Sequence, residues 1–160
     1  MSHPSINIAV RVALILMIVR LVLFFANADL PYQEEAYLFL LLAAFPSLSL
    51  YAIWPRSTKQ DFKSDALASL RVTAVFGVAM AIFIYAFYAF VDKTYFPNMI
   101  DLIVSREMEA NPDLEEKELR KGVEAFFSVR NFSVLAILFF LVMAAFYSVL
   151  FAAVKRLVIK

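Results

Sequence analysis

The chain of 160 residues has no cysteine, one histidine and two glycines. Without cysteine there is neither a disulfide nor thiolate chemistry, and the redox compartment cannot be read. His3, close to the N-terminus, is a poor start for a zinc site, which draws on several Cys, His or carboxylate ligands. No metal and no cofactor is therefore expected. Because Gly77 and Gly122 stand alone, the GxxxG helix-pairing motif and the glycine-rich phosphate loop are both absent. GxSxG and HExxH are missing as well. Nor is one sign of charge in excess: the formal net charge is +1, whereas a nucleic-acid partner calls for a basic surface.

What the chain has is apolar residues, 63% of the total, with a mean hydropathy of +0.77. A soluble domain of this length needs fewer for its core. They gather in four blocks, Ile6–Ala26, Ala36–Trp54, Leu67–Val91 and Phe132–Val154. Each is near or above the roughly 20 residues that cross a hydrocarbon core as a helix. Helices are expected because an isolated strand in lipid leaves its backbone hydrogen bonds unmade. The expected fold is thus an all-α integral membrane protein, a single domain of four transmembrane helices over residues 1–160. Arg11 and Arg20 interrupt the first block and no positive segment precedes it, so it is read as a retained span rather than a cleaved signal.

Lysine and arginine set the expected orientation. The second connection, "PRSTKQDFKSDALASLR", carries Arg56, Lys59, Lys63 and Arg71, and the C-terminal tail carries Lys155, Arg156 and Lys160. The first connection has Asp29, Glu34 and Glu35 and no basic residue. The positive-inside rule then puts both termini in the cytoplasm and the first and third connections outside. The third connection strains this reading, since it holds six basic residues beside nine acidic ones.

That third connection has its own pattern. Ile100, Ile103, Val104 and Met108 share one helical face, as do Leu119, Val123, Phe126 and Phe127. Asn111 suits an N-cap and Pro112 the first helical position, and Glu116 with Arg120 forms an i,i+4 pair. An amphipathic helical hairpin over residues 97–127 is expected, jointed at Asn111–Pro112, with its second helix able to run on into the last span. A solvated connection between two spans accounts for the charges. A partner-binding cap, with Glu116, Arg120, Phe126 and Phe127 as contacts, is the sharper alternative.

Small residues mark packing faces: Gly77 and Ala81 with Ala74 in span three, and Ala144, Ser148 and Ala152 in span four. Packing within the chain is favoured over dimerisation, with a homo-oligomer as the second option. Pro46 interrupts span two. Arg11 and Arg20 are nine positions apart, about 180° around a helix, so they leave from opposite sides. Arg11 is near enough to an end to snorkel; Arg20 lies deeper and could meet a carboxylate, or an anionic small molecule or lipid. No acidic pair is seen inside a span, and the few polar residues there, among them Ser47, Ser49, Thr73, Tyr85, Tyr147 and Ser148, supply a water-filled path poorly.

The stretch from "DFKSDALASLRVTAVFGVAMAIFIYAFYAF" through "YFPNMID" and "NPDLEEKELRKGVEAFF" to the closing "FAAVKRLVIK" resembles the bacterial membrane family called domain of unknown function 4199. The likeness covers residues 60–160 and reaches the first half by hydropathy alone. It implies four spans with a charged helical insertion before the fourth, and no activity or catalytic residue. The expected role is a non-enzymatic accessory or scaffold subunit in the bacterial cytoplasmic membrane, engaging lipid or another envelope protein. An oligomeric transporter or channel subunit is the alternative, and an enzyme of lipid-linked substrates a third.

Overall fold

The structure is a computed structural model, which describes residues 4–26, 33–55 and 61–158. The first connection's Asp29 and Glu34 side chains, Arg56, Lys59, His3 and Lys160 lie outside the described side chains. Among the described residues six α-helices follow one another: α1 (Pro4–Phe25), α2 (Gln33–Ile53), α3 (Phe62–Ala86), α4 (Tyr95–Ala110), α5 (Glu116–Phe126) and α6 (Val129–Val158). A π-helical turn, Phe87–Val91, closes α3. Four segments among the described residues are long and apolar enough to cross a bilayer: Ser5–Phe25, Glu35–Ile53, Phe62–Val91 and Val129–Val158. The chain is an all-helical integral membrane protein with α4 and α5 inserted before the last span.

The third and fourth spans are longer than the apolar blocks suggested. α3 begins at Phe62 rather than near Leu67 because Asp61 caps it, its Oδ1 accepting the Ser64 N–H at 3.0 Å. α6 begins at Val129 because Ser128 Oγ accepts the Asn131 N–H at 3.2 Å, a side-chain cap on a donor the helix cannot pair.

The chain forms two compact units, one of residues 1–80 with 139–160 and the other of residues 81–138. In the first, burial follows helical spacing. Ala9, Ala13, Leu16 and Arg20 make the inner stripe of α1, and Phe140, Ala144, Ser148 and Ala152 that of α6. Phe45 lies edge-on to Phe76 at 5.1 Å between centroids and 5.6 Å from Phe140. Gly77 lets these rings close in, since a Cβ there would stand 3.0 Å from Phe140 Cβ.

In the second unit Phe87, Phe96, Ile100 and Val104 are buried, and Tyr88 gathers Tyr95, Phe96 and Phe132 within 4.7–5.8 Å. Asp92 starts α4 by accepting from Tyr95 N and Thr94 Oγ1, both at 3.1 Å. The joint between α4 and α5 differs from the expected cap. Asn111 ends α4, and its carbonyl accepts the Leu114 N–H at 3.2 Å, so Asn-Pro-Asp-Leu forms a turn. α5 therefore starts at Glu116, with Pro112 and Asp113 outside it. It also stops at Phe126 instead of continuing into α6, because the Ser128 cap intervenes and Asn131 Nδ2 donates to the Ala125 carbonyl at 2.7 Å.

Candidate functional site

The most concentrated buried polar chemistry lies where α2 ends, α3 begins and α6 ends. Lys155 Nζ donates to Asp65 Oδ2 at 3.0 Å, and both side chains are under 5% exposed. Asp65, Ser69 and Thr73 recur every four residues on α3, so one face delivers all three to the same partners. Ser69 Oγ meets Ser49 Oγ of α2 at 2.5 Å and accepts from Ser148 Oγ of α6 at 3.0 Å. Ser49 Oγ donates to the Tyr147 carbonyl at 3.1 Å and Thr73 Oγ1 to the Ser69 carbonyl at 3.0 Å.

These bonds give every hydroxyl proton an acceptor. The Ser148 proton is shared between the Ala144 carbonyl of its own helix at 2.6 Å and Ser69 Oγ at 3.0 Å, Ser69 donates to Ser49 and Ser49 to the Tyr147 carbonyl, while Thr73 bonds within its own helix. In a low-dielectric setting such a closed chain fastens three helices, because separating them exposes several polar groups to hydrocarbon at once. Sequence reasoning named Ser49, Thr73 and Ser148 only as scattered polar residues of the spans, and missed Ser69, Asp65 and Lys155. Asp65 fell in a connection when span three was started at Leu67, and Lys155 was counted as a tail charge. The signal that would have found Asp65 is the four-residue step to Ser69 and Thr73.

The expected divergence of Arg11 and Arg20 is what the structure has. Arg11 is exposed, and Arg20 is 6% exposed on the inner stripe of α1, its guanidinium 5.6 Å from the Tyr37 ring centroid. A buried arginine over an aromatic face is held by the ring's negative potential as well as by packing.

In the hairpin, Arg120 pairs with Asp101 of α4, Nη2 to Oδ1 at 2.7 Å, rather than with Glu116. The hydrogen bond and charge of Asp101 raise the Arg120 pKa above its ordinary value, with Glu116 and Glu124 adding attraction from further off. The bridge thus joins two helices where the sequence suggested a bond along one. α5 buries none of its residues. Leu119 and Val123 are half-covered, Phe126 is 69% exposed and Phe127 is exposed too. Among the described residues no three His, Asp or Glu side chains gather as metal ligands would.

The helices and the polar clasp define a four-span membrane protein whose last span is preceded by a helical insertion. The chain belongs to the family described as Protein of unknown function (DUF4199), matched over residues 8–156. The match takes in the first two spans, beyond the stretch where the likeness could be quoted by residue. No curated protein and no solved structure matches the chain.

Proposed function

We propose that this protein is a non-enzymatic accessory or scaffold subunit of the bacterial cytoplasmic membrane, holding both termini inside and offering its α4–α5 hairpin to another envelope protein. The observation that carries this reading is α5: an amphipathic helix, tied to α4 by Arg120–Asp101, whose apolar side is half-covered at Leu119 and Val123 and ends in the exposed Phe126 and Phe127. Aromatic side chains on a rigid helix are efficient anchors for a partner. Two further observations support a structural part for the rest of the chain. The hydroxyls of the clasp satisfy one another, and Asp65 is held by Lys155. Burial of Arg20 against Tyr37 favours a packing role over that of an anion handle in a transport path.

A photoreactive residue at position 126 tests the reading in cells. One discrete crosslinked protein band, lost when the probe is moved to exposed Glu109 on α4, supports a docked partner. Crosslinks to lipid alone would replace the scaffold reading with a membrane-surface helix, and crosslinks to the chain itself would make the partner a second copy.

A further inference from the structure

A groove of about 260 Å³ runs between the first turns of α3 and the later turns of α6, lined by Phe62, Lys63, Ala66, Leu67, Leu70 and by Ala145, Ser148 and Val149 on the other side. Ser148 spends its hydroxyl on the polar clasp, so the walls below Lys63 offer only apolar surface. Leu67 and Val149 are exposed along it, and the groove is partly open on its flank. Within a membrane span such a slot is filled by hydrocarbon.

Its mouth is basic. Lys63 belongs to the lining, and the Arg156 guanidinium lies 5.9 Å from the ring centroid of Phe62, the outermost lining residue. Arg71 is exposed two turns further along α3, about 80° round the helix from Lys63, and a helical side chain leans back toward the N-terminal end. Among the described carboxylates of this end, Asp65 is paired with Lys155, and Asp61 accepts the Ser64 N–H and remains exposed two residues before Lys63. The depth from Lys63 to Leu70 is seven residues, about 10 Å of helix, which suits the upper part of an acyl chain.

We propose that this groove is a binding site for an anionic phospholipid, with one acyl chain between α3 and α6 and the phosphate at Lys63 and Arg156. An apolar slot continuous with lipid fits no free anion, and cations at its mouth select against a neutral or cationic headgroup. This site is independent of the scaffold reading, because it requires nothing of α5.

The test is native mass spectrometry of the full chain released from detergent, titrated in parallel with phosphatidylglycerol, phosphatidylethanolamine and inorganic phosphate. The expected result is one retained phosphatidylglycerol at roughly thirtyfold lower lipid concentration than phosphatidylethanolamine, as two cations near a phosphate would give, and no retained phosphate. Lys63→Ser with Arg156→Gln should abolish the preference, and Ala145→Trp, at an exposed lining position, should displace the bound lipid. Equal retention of the two lipids by the unaltered chain would overturn the proposal even if a variant did not fold. So would retention of inorganic phosphate alone, or a phosphatidylglycerol adduct indifferent to Ala145→Trp.

Discussion

Asp65 and Lys155 are separated by ninety positions in sequence and by one hydrogen bond in space. Removing one partner strands the other in a site with little water, so Asp65→Ala or Lys155→Ala should each destabilise the protein by about 3–5 kcal/mol. The joint replacement Asp65→Leu, Lys155→Met should recover much of that loss, because two apolar groups leave no orphan charge. Thermal unfolding of the two single variants and the joint one in detergent measures both. A loss in the joint variant equal to the sum of the two single losses would mean that Asp65 and Lys155 act separately. The two glycines make a second, sharper contrast. Gly77→Ala forces its new Cβ against Phe140 Cβ at 3.0 Å and should cost about 1–3 kcal/mol of stability. Gly122→Ala meets nothing within 4 Å and should leave α5 as stable or up to about 1 kcal/mol better. At this scale the sequence was readable wherever a rule is local. The opposed directions of Arg11 and Arg20 follow from helical angle alone, and the buried faces of Ala144, Ser148 and Ala152 from their spacing. The Asp65–Lys155 bond was not readable, since pairing across two spans depends on which helices meet and at what height.

Helix boundaries show where two local signals compete. Asn111-Pro112-Asp113 reads equally as an N-cap followed by a first turn and as the opening of a type I turn. The turn wins, and α5 starts at Glu116. The end of α5 was hidden differently: Val123 to Phe132 is apolar enough to suggest one continuous helix, yet a single hydroxyl at Ser128 resets the backbone. Such a break frees α5 to take its own direction, and Arg120–Asp101 is what fixes that direction against α4. Both side chains are substantially exposed, so their bond is open to salt and to competition from water. Arg120→Ala should therefore leave the global melting temperature nearly unchanged while amides of residues 116–126 exchange faster with deuterium. High ionic strength should produce the same selective loosening in the unaltered chain. An unchanged exchange rate would mean that α5 is held by its half-buried Leu119 and Val123 instead.

For the molecule as a whole, four spans require that the two termini share a side, and the remaining question is which side. The charge rule answers through lysines and arginines close to span ends. The structure changes the weights in that sum. Lys155 is enclosed with Asp65 and neutralised there, which leaves Arg156, Lys63 and Arg71, among the described residues, as the exposed basic ones where α3 begins and α6 ends. Between spans three and four, Lys93 and Arg130 are exposed at the span ends themselves, Arg106, Lys117 and Lys121 are exposed among many carboxylates, and Arg120 is tied to Asp101. Acidic residues count little in this rule, so the basic residues of this connection weigh against an outside hairpin, while the basic residues flanking spans two, three and four at the other side weigh for it. The expectation is that the α4–α5 hairpin faces away from the cytoplasm. A chain with no native cysteine makes this directly measurable, because each introduced thiol is the only one present. Lys117→Cys should react with an impermeant maleimide in intact cells, and Lys59→Cys only after the membrane is opened. The reverse pattern would turn the molecule over, bring the exposed Phe126 and Phe127 to the cytoplasm, and move the search for a docking partner from the envelope to the cytosol.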